Sequence, residues 1–221
     1  MLLESIKNIF SSILDLVFPD SCLNCGKTGS ILCNRCLKQI KPIPGQSIHL
    51  KQPIEKVLCY TSYSGIMRKI ITKFKFENKK RIAETIANLM SEMIINRIPE
   101  FAKMSLLAVP LHASREKERS FNQALLLARN ISKNLNIPCI ENVLIRNRAT
   151  NFMHKLNKKE RMQNIKNAFT VVDKQAVSGK DIIIIDDIMT TGATLTAIAA
   201  ELKKSGCNKV YGATAAMATL K

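Results

Sequence analysis

Residues 181–195, DIIIIDDIMTTGATL, constrain this chain more than any other stretch. Four isoleucines in a row, 182–185, fit a fully buried strand of a parallel sheet better than an exposed helix. Two adjacent carboxylates, Asp186 and Asp187, follow where the strand is expected to leave the sheet. Thr190, Thr191, Gly192, Ala193 and Thr194 come next, and helical periodicity then runs over 195–204. A small, hydroxyl-rich turn opening a helix cradles phosphate, because free backbone N–H groups and the positive end of the helix dipole point at the anion. The threonine hydroxyls add donors, and Gly192 lacks the Cβ that would block close approach. Paired aspartates suit the vicinal hydroxyls of a sugar, or a divalent cation bridging sugar and phosphate. The stretch thus describes a sugar-phosphate site at the C-terminal edge of a parallel sheet, where open α/β sheets bind ligands. A plain strand–turn–helix with a polar edge needs all these features to coincide by chance.

The same 15 residues closely resemble the phosphoribosyl pyrophosphate motif of type I phosphoribosyltransferases, a hydrophobic strand, two acids and TTGAT. That resemblance implies Asp186 and Asp187 for the ribose hydroxyls and residues 190–194 for the 5′-phosphate. It also implies Mg²⁺ with phosphoribosyl pyrophosphate (PRPP).

A second metal signal lies near the start. Cys22 and Cys25, then Cys33 and Cys36, form two CxxC pairs separated by seven residues. Four thiolates in that pattern supply a tetrahedral Zn²⁺ site, and four sulfur ligands leave no open position for a substrate, so the site reads as structural. Cys59, Cys139 and Cys207 lie in apolar contexts and are read as core thiols. The expected organisation is a helix and zinc-binding knuckle over 1–44, then an α/β domain over 45–221. Residues 2–17 have amphipathic helical spacing and none of the marks of a secretory signal, which reads as a cytoplasmic chain whose first helix docks on a neighbour. No stretch approaches the length of a membrane span.

Between these landmarks, residues 41–45 (KPIPG) read as a linker, 57–63 as a strand, and 65–78 and 82–97 as helices. Strand, loop and helix recur over 105–110, 112–122 and 123–135, which places the second loop at the same sheet edge as the first site. In a phosphoribosyltransferase that loop holds pyrophosphate, and Arg115 and Arg119 have the chemistry to grip it in two places. His112 in the same loop reads equally well as inert or as a ligand contact. Further strands are expected at 138–145, 168–172 and 210–217, with a long polar stretch over 146–167.

Charge bears on partners. Thirty-four basic against 17 acidic side chains leave a net charge of +17, which opposes compaction and favours a polyanion. The plainer source is a generally Lys-rich composition. Candidate contacts for a single-stranded nucleic acid are Lys73, Lys75, Arg115, Arg119, Arg146, Arg148, Lys155 and Arg161. The absence of Trp is against strong base stacking, with Phe121 and Phe152 the aromatic candidates within basic loops.

The order of all these pieces resembles the ComF family, competence-associated proteins with a phosphoribosyltransferase-like domain behind a four-cysteine knuckle. The resemblance rests on both CxxC pairs, YSG at 63–65, KFKF at 73–76, VPL at 109–111, RSFNQ at 119–123, Glu160-Arg161 with Asn164, Ala168-Phe169 and residues 186–195. It implies a protein of natural transformation that handles incoming single-stranded DNA, near a DNA helicase-translocase and a recombinase loader. Two departures stand out. The family commonly has glycine where Ser120 stands, and tends to carry glutamine near Met153. Two functions remain open: a DNA-binding protein with a phosphoribosyl site, and an active phosphoribosyltransferase with an unnamed acceptor. An assembly adaptor is a third.

Overall fold

The computed structural model describes residues 20–45, 47–48, 50, 52–76, 80–111, 120–147 and 167–218. A short helix α1 (Asn34–Leu37) closes the cysteine knuckle, and strands β1 (Ser47–Ile48) and β2 (Val57–Ser62) follow. Two helices, α2 (Gly65–Phe76) and α3 (Lys80–Arg97), lead to β3 (Ser105–Ala108) and α4 (Gln123–Leu135). The chain continues through β4 (Cys139–Ile140), β5 (Leu144–Arg146), β6 (Phe169–Val171), β7 (Ile182–Met189), α5 (Ala193–Lys204) and β8 (Val210–Met217).

Six strands form one sheet in the order β1-β2-β8-β7-β3-β4, with only the β1–β2 pair antiparallel. The expected α/β fold with a mostly parallel sheet and flanking helices is therefore present. Strand β7 sits in the middle with both faces covered, which is why its sequence is a continuous isoleucine run. Ile183 and Ile185 join the core made with α2, α3 and α4, and Ile182 and Ile184 join the opposite core with Ile198 and Leu202 of α5. All four are 0% exposed. Helix α3 buries Ile82, Ile86, Met90, Met93 and Ile94, a repeat of three and four residues that carries one apolar face.

The cysteine knuckle lies on this same body. Cys22, Ile31, Leu32, Cys36 and Ile40 share a core with Met67, Ile70 and Phe74 of α2. Lys69 donates to Asn24 Oδ1 at 3.0 Å, and Arg81 pairs with Asp20.

Four local expectations change. Residues 41–45 do not hang free as a linker: Thr61 Oγ1 donates to the Lys41 carbonyl at 2.7 Å, Ile43 N–H donates to the Tyr60 carbonyl at 2.9 Å, and β1 then borders the sheet. The single strand expected over 138–145 is broken at Asn142, whose φ of 60° is incompatible with a ladder. Its first part, β4, joins the main sheet, while β5 pairs antiparallel with β6 in a separate two-stranded ribbon. Helix α5 starts at Ala193, two residues before the apolar period begins. Of the three expected core thiols, Cys59 and Cys207 are buried and Cys139 is half-buried.

Ser120 adopts φ 63°, a left-handed conformation that a side chain with a Cβ resists by roughly 1–2 kcal/mol. This is where the resembling family has glycine, and the backbone supplies the reason. Replacing Ser120 with Gly is expected to raise stability by roughly 0.5–1 kcal/mol, the relief of strain less the extra unfolded-state freedom. Denaturant unfolding measures it, and an unchanged or lowered midpoint contradicts the assignment.

Candidate functional site

Strand β7 stays paired with β8 through Met189, opposite Met217, so the two carboxylates lie within the strand and not beyond it. On its other side β7 loses its partner sooner. The β3 register ends at Ala108 opposite Ile185, with Val109 N–H donating to the Ile185 carbonyl at 3.0 Å. Asp186 and Asp187 therefore stand at the point where one neighbour falls away. The expected exit from the sheet is right on the β3 side and wrong on the β8 side, because the β8 strand is eight residues long and runs alongside.

The two carboxylates have different surroundings. Asp186 Oδ1 accepts from the Asp187 N–H at 2.9 Å. Burial pushes the Asp186 carboxyl up to about 8, and the adjacent Asp187 charge adds to this. Asp186 is half-buried, so part of its surface remains open to a ligand. Asp187, two residues beyond Ile185, meets Lys75 of α2, with Nζ 3.3 Å from its Oδ2.

Beyond the strand, Gly192 takes φ 75° and ψ 1° at the N-terminus of α5. Leu50 fills the space beside it: a Cβ at Gly192 would come 2.4 Å from Leu50 Cδ1. Glycine is required there by both the left-handed backbone and this approach. Thr191 Oγ1 accepts from the Ala193 N–H at 3.3 Å, and no Gly192 side chain caps the helix. The first turn of α5 thus presents backbone donors and a positive dipole end toward the space past Asp186 and Asp187, an arrangement suited to an anion attached to a polyol. Thr190 and Thr194 flank that turn half-buried, and Ala193 is buried.

Several residues that pattern-reading had not assigned hold this edge in place. Asn122 Oδ1 accepts from the Leu125 N–H at 3.2 Å, capping α4, while its Nδ2 donates to the Val109 carbonyl at 3.1 Å. An Asn directly before an apolar helix was the available signal. Gln123 Nε2 reaches the Lys75 carbonyl at 3.5 Å, and Phe121 packs against Phe74 with ring centroids 5.9 Å apart. These contacts join α2 to the end of β3. Leu50 and the partnership of Lys75 with Asp187 carried no sequence signal, since both are contacts between distant segments.

The basic candidates do not gather in one place among the described residues. Lys73 is exposed near the end of α2, Lys75 faces Asp187, and Arg146 lies in β5 with its guanidinium 5.5 Å from the centre of the Phe169 ring. Arg115, Arg119, Arg148, Lys155 and Arg161 lie outside the described residues, as do His112, Phe152, Met153 and the amphipathic segment 2–17.

The second site is the four-cysteine cluster. The Sγ atoms of Cys22, Cys25, Cys33 and Cys36 all lie within 4.8 Å of one another, and those of Cys25 and Cys33 are 3.6 Å apart. Four sulfurs about 2.3 Å from one tetrahedral Zn²⁺ would be spaced at about 3.8 Å, so the donors fit that ion with little adjustment. Cys33 N–H points at Cys22 Sγ at 3.5 Å and Asn24 Nδ2 at Cys36 Sγ at 3.3 Å, donors suited to thiolates. The cluster would hold the knuckle closed against α2.

The Asp186 environment has a consequence for stability. With a folded pKa of about 8, far above the unfolded aspartate value, the folded chain holds a proton that the unfolded chain has released across the interval between them. Its contribution is most favourable below the unfolded pKa and is lost as pH rises through about 8. Asp186→Asn is therefore expected to melt several degrees higher than the parent at pH 8, with the gap narrowing toward pH 4. Thermal unfolding across that range checks it. Parallel pH profiles for the two proteins would mean that Asp186 is not held protonated.

Residues 121–218 match the phosphoribosyl transferase domain family, and residues 13–48 match the double zinc ribbon domain family. The chain is similar to Competence protein F of Haemophilus influenzae, 30% identical over 223 residues, covering 87% of this chain and 95% of that protein. It is similar to the DNA utilization protein YhgH of Shigella flexneri, 29% identical over 199 residues, covering 86% and 80%. Competence protein ComFC of Bacillus subtilis is 31% identical over 135 residues, 61% of this chain and 52% of that one. Among the described residues no helix is long and apolar enough to cross a membrane. The chain belongs to the ComF family, with a type I phosphoribosyltransferase-like sheet behind a four-cysteine zinc ribbon.

Proposed function

We propose that this chain is a competence protein that binds incoming single-stranded DNA in the cytoplasm and holds a sugar phosphate at Asp186, Asp187 and residues 190–194. The observation that carries the reading is an acidic pair near the end of β7, followed directly by a turn that requires Gly192 and opens α5. The acids accept from ribose hydroxyls, and the turn donates to a 5′-phosphate. A phosphorylated ribose satisfies both at once. The names of the relatives, a competence protein and a DNA utilization protein, point the same way.

The DNA part of the reading is supported by the net charge of +17, not by the described basic side chains, which are dispersed. Arg115 and Arg119 belong to the pyrophosphate-binding loop in this reading, and Arg146, Arg148, Lys155 and Arg161 are its nucleic-acid contacts, Arg146 lying in the β5–β6 ribbon. Residues 1–44 act as the docking module and 45–221 as the ligand-binding domain. A DNA helicase-translocase and a recombinase loader are the partners this role requires.

A second reading, transfer of phosphoribose from PRPP with Mg²⁺, is favoured by one observation. A cavity of about 340 Å³ lies over the end of β3, lined by Leu107, Ala108, Pro110, Asn122, Ile140 and Asn142 among others. Its lining includes Leu107 and Ala108 of β3, the strand paired with β7, and its volume leaves room for an acceptor. Pyrophosphate release in the presence of a nucleobase or a DNA end would select this reading.

The first reading predicts single-stranded DNA binding that weakens steeply with salt, since each neutralised phosphate releases counterions. Neutralising Arg146, Arg148 and Lys155 together should lower the slope of log K against log salt by about 2. Fluorescence anisotropy on an oligonucleotide measures both. A shallow slope in the parent, or an unchanged slope in the triple variant, would remove the DNA-binding assignment from these residues.

A further inference from the structure

The acidic pair has a counter-charge that comes from a remote part of the chain. Lys75 Nζ lies 3.3 Å from Asp187 Oδ2, and the two side chains are only 21% and 13% exposed. The Oδ2 atom is closed off from solvent and takes no hydrogen bond, so the ammonium is its sole polar partner among the described residues. Removing one member of such a pair leaves an uncompensated buried charge.

Lys75 is also held where it is. Its neighbour Phe74 is 0% exposed and packs on Phe121, and its own carbonyl is approached by Gln123, which is 2% exposed. Phe121 precedes α4 and Gln123 opens it, and Asn122 between them donates to the carbonyl of Val109, whose N–H meets Ile185 just before the acidic pair. Lys73, two residues earlier, is exposed on the surface of α2. A lysine meant only to meet a polyanion on the outside would resemble Lys73. Lys75 instead is fixed at its backbone and directed inward.

We propose that Lys75 belongs to the sugar-phosphate site as the built-in counter-cation of the acidic pair, so that the site takes a 5′-phosphorylated pentose without a divalent ion. The inference rests on the sugar-phosphate reading given above. The ammonium balances Asp187, the remaining carboxylate oxygens accept from the vicinal hydroxyls, and the phosphate charge is answered by the N-terminus of α5. A Mg²⁺ ion bound at Asp187 Oδ2 would sit about 2.1 Å from that oxygen and would have to expel the ammonium. Magnesium therefore competes with Lys75 for the carboxylate and does not complete the site.

Calorimetric titration of ribose 5-phosphate into the zinc-loaded full chain tests this, in magnesium-free buffer and with magnesium added. The parent is expected to bind without magnesium. Lys75→Met should lose at least about tenfold in affinity without magnesium and recover part of it when magnesium is added, while Lys75→Arg stays within about threefold of the parent. A purely packing role for Lys75 would not make the Met variant depend on magnesium. Equal binding by the parent and the Met variant without magnesium overturns the assignment while leaving the sugar-phosphate site standing. A parent that binds only with magnesium overturns it as well, and that arm remains decisive even if the Met variant fails to fold. Failure of the parent to bind in either buffer defeats the sugar-phosphate reading itself and this inference with it.

Discussion

Burial of residues 182–185 on both faces of the sheet is the constraint on which the rest of this structure depends. Each isoleucine that moves from water into a packed core contributes roughly 1.5–3 kcal/mol. Because alternate residues fill two different cores, a one-residue slip would exchange the contents of both faces. The register of β7 is thereby fixed, and so is the place where Asp186 and Asp187 emerge. The short β3 strand, pairing only up to Ile185, opens the sheet beside them. Apolar packing thus positions a polar site that would not form by itself.

That site concentrates negative charge in a chain whose sum is strongly positive. Burial keeps Asp186 protonated well above the usual carboxylate range, and a lysine answers Asp187. Both arrangements reduce the charge that has to be held away from water, which is costly unless neutralised or paired. In the proposed function the phosphate end is met differently, by backbone dipoles and N–H groups that need no ionised side chain. On that proposal one part of the site selects for hydroxyls and the other for an anion. The zinc ribbon bears on the site through α2. Its buried cysteines and apolar residues share a core with α2, the helix that delivers Lys75.

Much of this was legible in the sequence because it is local. The isoleucine run, the acids after it, the TTGAT turn and the four-cysteine spacing each act within a few residues, although the acids prove to lie inside β7 and the last two residues of the turn inside α5. What the sequence concealed is relational. Lys75 reads as one more charge in a basic helix until α2 is packed against β7. Leu50 has no motif and becomes meaningful only where its side chain crosses Gly192. Asn142 looks compatible with a strand, but its left-handed φ divides one expected strand between two sheets. The RSFNQ motif reads with a ligand loop, and only the structure shows that Phe121, Asn122 and Gln123 also hold α2, β3 and α4 together. A serine at its left-handed position carries strain that only the backbone angles reveal.

The central claim is that the turn over residues 190–194 and the acids before it form one ligand site. It is tested most directly by recording backbone amide resonances of the isotopically labelled protein during titration with ribose 5-phosphate. The account predicts saturable shifts at 190–194 and at Asp186 and Asp187, with the same midpoint for both groups. Inorganic phosphate alone should move the turn and leave the acids nearly still. Shifts confined to exposed lysines, or no shift at either group, would contradict the assignment and leave this edge of the sheet as a structural feature only.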